Sequence, residues 1–237
     1  MQTKNLKGNG KIVLVRTEIS TEIYVSHMGE PLAFSLPIEE KGDYIEVMTQ
    51  IRGERLSIPT TAQTFSLVNL ALQNPDEEHC QDILNKFRRN YFWTSTENLY
   101  TPKEIIVYDN VDGTMPFDRE SLLKRHKEGD KAVRVVPYGF KTKRQSVNEL
   151  LKNPYVIAQV GSKDMLEVVK RVVEGVSKNK PLIWILNKPS KNVRKYNTRK
   201  YSALGSGWGL DAFGLGGFFD FSHSDGYAPR VRNMNDR

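Results

Sequence analysis

Short runs of β-branched and aromatic residues, broken by polar or glycine-containing gaps, dominate the first 58 positions. They are KIVLVRT (11–17), TEIYVSH (21–27), EPLAFSLP (30–37) and DYIEVMTQI (43–51), with a Lys41-Gly42-Asp43 turn before the last. Such runs predict the strands of an antiparallel sheet. At Pro59 the pattern changes. Thr60 and Thr61 are candidate caps for a helix whose apolar run is Phe65, Leu67, Val68, Leu70, Ala71 and Leu72. Asn74-Pro75-Asp76-Glu77-Glu78 then reads as the start of a second helix, which ends on Arg88 and Arg89 near its negative pole.

From Thr101 the periods alternate. EIIVYD (104–109), KAVRVVPYG (131–139), YVIAQVG (155–161) and PLIWILN (181–187) predict strands; 117–127, 145–152 and 164–177 predict helices. Met165, Val168, Val169, Val172, Val173 and Val176 form an apolar stripe on the last helix. This alternation predicts an α/β layer with a substantially parallel sheet. The expected fold class is therefore mixed α/β (α+β). It comprises a strand-rich part with two helices (1–100), an α/β layer (101–187) and a long irregular Gly/aromatic tail (188–237), whether as separate units or as one globular domain.

Charge sharpens the division. Residues 1–100 hold 10 Lys/Arg against 13 Asp/Glu, and residues 101–237 hold 25 against 15, so the formal +7 belongs to the C-terminal part. A concentration of cations implies a polyanionic partner. The tail carries Lys188, Lys191, Arg194, Lys195, Arg199 and Lys200 interleaved with Tyr196 and Tyr201 and followed by Trp208. Cations along a phosphate backbone with aromatic faces for bases are what single-stranded DNA or RNA binding requires. A second basic cluster, Lys141-Thr142-Lys143-Arg144, falls in an expected loop. The stretch ALGSGWGLDAFGLGGFFDF (203–221) lacks phosphate-loop spacing, because Leu210 and Leu215 stand where a glycine and a lysine would have to be. Its aromatics, Phe213 among them, are candidates for packing on the body or on a second copy.

Catalytic signals are sparser. IIVYDNVDGTM resembles the aspartate signature of the haloacid dehalogenase family, but Asp112 follows Asp109 by three residues where that chemistry uses two, so an acidic turn after a strand is the simpler reading. Gly161-Ser162 opens a helix whose backbone N–H groups suit an anion. Asp109, Asp112 and Ser162 are thus the residues of an alternative reading, an enzyme acting on a phosphorylated or nucleotide substrate at the carboxyl edge of the sheet. Cys80 next to His79 has no second Cys/His cluster, so neither a metal nor a cofactor is expected. One cysteine, no apolar run in MQTKNLKGNGK and no apolar stretch of membrane-spanning length predict a cytoplasmic location. The sequence therefore favours a non-enzymatic nucleic-acid-binding or assembly protein; a structural subunit of a larger viral or mobile-element assembly is the third alternative.

Overall fold

The computed structural model describes residues 2–8, 10–15, 20–38, 41–54, 56–185, 188, 198–205, 213–219 and 226–233. Strands β1 (Gln2–Asn5), β2 (Lys11–Val15), β3 (Ser20–His27) and β4 (Glu30–Leu36) form an antiparallel meander, and β5 (Lys41–Gly42) follows it. The segment DYIEVMTQI, expected as a strand, is instead helix α1 (Tyr44–Gly53). Asp43 caps it by accepting from the Glu46 amide, and Tyr44, Val47, Met48 and Ile51 recur at helical spacing on its buried face.

Helix α2 (Thr61–Gln73) starts in a capping box, with the Thr60 side chain accepting from Gln63 N and the Gln63 side chain from Thr60 N. Helix α3 (Glu78–Arg89) begins later than Asn74. Glu77 supplies its cap, while Asn74 bonds back to Leu70 O and Lys7 O. The next ten residues, YFWTSTENLY, make β6 (Tyr91–Tyr100), every one of them buried, and β7 (Glu104–Asp109) returns alongside. Then come α4 (Arg119–Lys127), β8 (Val133–Pro137), β9 (Lys143–Arg144) and α5 (Val147–Leu151).

YVIAQVG, expected as a strand, is helix α6 (Pro154–Val160). Its punctuation explains this: Asn153 caps, Pro154 takes the first turn, and Gly161 ends the helix at φ +69°. A 3-10 turn (Lys163–Met165) leads into α7 (Leu166–Val176), which packs Val169, Val172 and Val173 into the core. The described chain closes with β10 (Leu182–Trp184), β11 (Thr198–Gly205), β12 (Gly214–Phe219), β13 (Gly226–Tyr227) and β14 (Arg230–Asn233).

Helices, an antiparallel sheet and a mixed sheet place the protein in the α+β class, as the sequence predicts. Two details differ from expectation. Among the described residues, parallel pairing occurs only at β10–β12 and β13–β6, and β6–β7–β8 is antiparallel throughout. Losing YVIAQVG to a helix removes the strand that the parallel alternation needed. The second difference lies in the tail. Among its described residues, β11 lies against the whole of β6, from Thr198↔Tyr100 to Gly205↔Tyr91, and β14 joins the N-terminal sheet beside β4, where an irregular segment was expected. Strands from all three expected segments therefore share sheets, in the orders β1-β2-β3-β4-β14 and β5-β13-β6-β11-β12-β10-β9. The glycine-rich strands also carry core. Leu204, Phe213 and Leu215 are buried against the helical layer, with the Phe213 ring 5.7 Å from that of Phe65.

Ending the chain after Asn187 removes β11 from the flank of β6 and exposes apolar surface on both sides of the sheet. The expected outcome, read by near-UV circular dichroism and calorimetry, is loss of the cooperative thermal transition. A truncated chain that still melts cooperatively would contradict this account of the tail.

Candidate nucleic-acid interface

Two of the predicted binding residues face inward. Glu97, fully buried on β6, accepts from Arg199 Nη2 at 2.7 Å and from Arg199 Nε, from Tyr108 Oη at 2.7 Å, from Asn110 Nδ2 at 2.8 Å and from Tyr44 Oη at 3.1 Å. Arg199 is thus the counter-ion of a buried carboxylate. Burial opposes its charge, but the hydrogen bonds and charge of Glu97 outweigh that and raise its pKa. Tyr201 is buried and stacks on Tyr44 with ring centroids 3.7 Å apart, which leaves it no open face for a base. Burial, and then the charge of Glu97, push Tyr44 and Tyr108 well above the ordinary tyrosine value. Lys200 is half-buried opposite Asn98, and Lys188 is exposed. Lys191, Arg194, Lys195, Tyr196 and Trp208 lie outside the described residues.

The catalytic candidates also have structural partners. Asp109 accepts from Arg134 through both oxygens and from Thr96 Oγ1 at 2.7 Å. Arg134 Nε donates to Ala158 O at 2.8 Å, and a Cβ on Gly161 would sit 3.8 Å from the guanidinium carbon. Asp109 and the Gly161-Ser162 junction therefore flank one arginine that is already engaged. Ser162 caps the 3-10 turn by accepting from Asp164 N at 3.1 Å. Asp112 is exposed in a turn, where hydrogen bonds from the Thr114 amide and hydroxyl hold its carboxyl below the usual range. Cys80 is buried, and burial followed by the Glu77 carboxylate pushes its thiol up to about 12. Among the described residues no group of three His, Cys, Asp or Glu side chains is placed to hold a metal ion.

One group of exposed cations without ion pairs lies at the edge formed by β9. This strand is last in its sheet and pairs antiparallel with β10, Arg144 opposite Leu182 and Lys143 opposite Ile183. Gln145 N donates to Pro181 O at 3.1 Å and Arg144 Nη1 to Lys180 O at 3.4 Å, which brings the 178–181 turn beside the strand. Lys143, Arg144, Lys152, Lys178, Lys180 and Lys188 are all exposed, and none makes an ion pair among the described residues. The sole acid in 137–154 and 177–188 is Glu149, held by Lys141 at 2.6 Å. Lys178 and Lys180 carried no signal in sequence, because only the β9–β10 pairing brings them beside KTKR.

Beside this edge runs a groove of about 500 Å³, lined by Pro137, Tyr138, Gly139, Phe140, Lys141, Glu149, Lys152, Asn153 and Pro154. Phe140 is backed by Tyr155 in a near-parallel stack, centroids 5.5 Å apart and planes 10° apart. Tyr138 Oη donates to Thr101 O at 2.8 Å, and its hydroxyl is pushed up to about 12 by burial and then by Glu104. A larger groove of about 720 Å³ lies between the hairpin tips of the N-terminal sheet. Its only cation, Lys11, sits 4.7 Å over the Tyr24 ring.

No family model and no curated protein sequence matches the chain. One solved structure is similar, reported as "Accommodation of massive sequence variation in Nanoarchaeota by the C-type lectin fold". It covers 84% of this chain and 100% of its own, with a TM-score of 0.55 and 12% identity. At that identity the likeness is one of fold. Among the described residues no helix is long and apolar enough to cross a membrane.

Glu97→Gln leaves Arg199 without its counter-charge and is expected to cost about 3–5 kcal/mol in urea denaturation. A loss within experimental error would contradict the role given to Glu97. Tyr44 and Tyr108 give a pH dependence. Their folded-state pKa values lie above the unfolded value of about 10, so their contribution is complete below about pH 10 and is lost as pH rises beyond it. In an alkaline titration, phenolate absorbance from these two residues is expected only together with loss of near-UV dichroism.

Proposed function

We propose that the chain is a non-catalytic nucleic-acid-binding protein whose interface is the basic edge built from β9 and the 178–181 turn. One observation carries this reading: four exposed cations, Lys143 and Arg144 on β9 and Lys178 and Lys180 on the segment beside it, lie at one sheet edge with no acidic partner among the described residues. Surface charges of one sign repel each other and are stabilised by a polyanion laid across them, with release of the counterions condensed on its phosphates.

An enzymatic reading needs a free nucleophile or base near the Gly161-Ser162 junction. Asp109 spends its acceptors on Arg134 and Thr96, so it offers neither. A nucleic-acid partner fits a cytoplasmic location, where Cys80 stays reduced.

Replacing Lys143 by Asn and both Lys178 and Lys180 by Ser removes three cations without touching a buried group. Binding of a labelled oligonucleotide, followed by fluorescence anisotropy over a salt series, is expected to weaken. The slope of log K against log salt should fall by about 2, at about 0.7 per single-strand phosphate contact. Unchanged affinity and slope would overturn the reading.

A further inference from the structure

The Tyr138–Phe140 groove opens onto the basic edge, and the two surfaces differ in what they hold. The edge presents charge alone, with Lys143 and Arg144 on the strand and Lys178 and Lys180 on the turn beside it. The groove presents an aromatic ring, a buried aromatic stack and two prolines, with Lys141 and Lys152 at its rim. Gly139 lines it with φ +100°, and a Cβ there would meet nothing within 4 Å, so the bare backbone is open to a flat group. The volume, about 500 Å³, falls within the range of sites that take an organic ring system.

We infer that this groove takes an unstacked base of single-stranded nucleic acid, with the flanking phosphates on Lys152 and the β9 cations. The inference rests on the reading of the basic edge and adds the form of the polymer. A duplex keeps its bases paired and stacked, with no face to give the groove. A single strand carries both a charged backbone and free π-faces. Lys143 lies two residues beyond Lys141 in the chain, so one strand of nucleic acid reaches both the groove and the edge. Glu149 is the only acid on the rim. Hydrogen bonds from Lys141 and then from the Ser146 amide and hydroxyl hold its pKa at about 2. Its charge is therefore permanent at neutral pH but matched by Lys141, which leaves Lys152 as the rim's net cation.

The test compares three probes of equal length, about 15 nucleotides: oligothymidylate, the corresponding abasic strand and a duplex. All are measured by anisotropy at one salt concentration. Oligothymidylate is expected to bind at least about tenfold more tightly than the abasic strand, since a stacked base contributes on that scale. Tyr138→Leu keeps apolar bulk but removes the π-face, and is expected to bring oligothymidylate down to the abasic affinity. Tyr138→Phe keeps the ring and loses only the bond to Thr101, and is expected to retain the preference. Near-UV dichroism of both variants checks that they are folded. Equal binding of oligothymidylate and abasic strand by the unaltered protein overturns the inference and leaves the basic edge standing, as does tighter binding of the duplex. If removing the edge cations weakens neither strand, the edge reading fails first.

Discussion

A carboxylate buried without water must find every hydrogen bond it needs inside the protein, and Glu97 sets that constraint here. Its donors arrive from α1, from β7 with the turn that follows it, and from β11, so one side chain ties together three separate stretches of the chain. The demand also shapes β6. Tyr201 pairs with Glu97 but Ser202 with Thr94, so Ser95 and Thr96 are extra residues on the β6 side of the ladder. They are used elsewhere. Ser95 exchanges backbone bonds with Pro59 and Asn110, and the Thr96 hydroxyl serves Asp109. This irregularity lets a polar sequence, TSTEN, run through the middle of a core strand with its groups paired. One exception is Ser95 Oγ, which is buried with no hydrogen-bond partner.

The same constraint separates the cations by role. Arg199 is drawn into the sheet because β11 must present a counter-ion to Glu97. The cations of β9 sit three strands further on, in the order β11-β12-β10-β9, where no buried acid calls on them. Charge at such an edge blocks strand-to-strand association of copies, and the same charge suits it to a phosphate backbone. The aromatic groove adjoins because Pro137-Tyr138-Gly139-Phe140 leaves β8 immediately before β9, and Phe140 is fixed by its stack on Tyr155. The proposed interface therefore adjoins the edge of the sheet.

Much of the architecture was legible in local chemistry. The β2–β4 meander, the Thr60 cap of α2 and the valine stripe of α7 follow from patterns that need no distant partner. What escaped were elements decided by punctuation or by long-range pairing. Tyr44, Val47, Met48 and Ile51 sit in a run that looks strand-like until Asp43 is recognised as a cap. YVIAQVG looks like a strand until Asn153-Pro154 and Gly161 are read as helix ends. No sequence signal links Glu97 to Arg199, 102 residues away, so an arginine inside a basic run was read as solvent-facing. The KTKR cluster was legible as charge, but its turn neighbours Lys178 and Lys180 join it only through a strand pairing.

The most direct test of the central claim, that the basic edge and its groove form the binding face, is hydrogen–deuterium exchange with and without saturating oligothymidylate. The account predicts slowed exchange in residues 138–153 and 178–183 and little change in the β1–β4 meander. Protection confined to the N-terminal sheet, or absent from 138–153 under conditions where the oligonucleotide is bound, would contradict it.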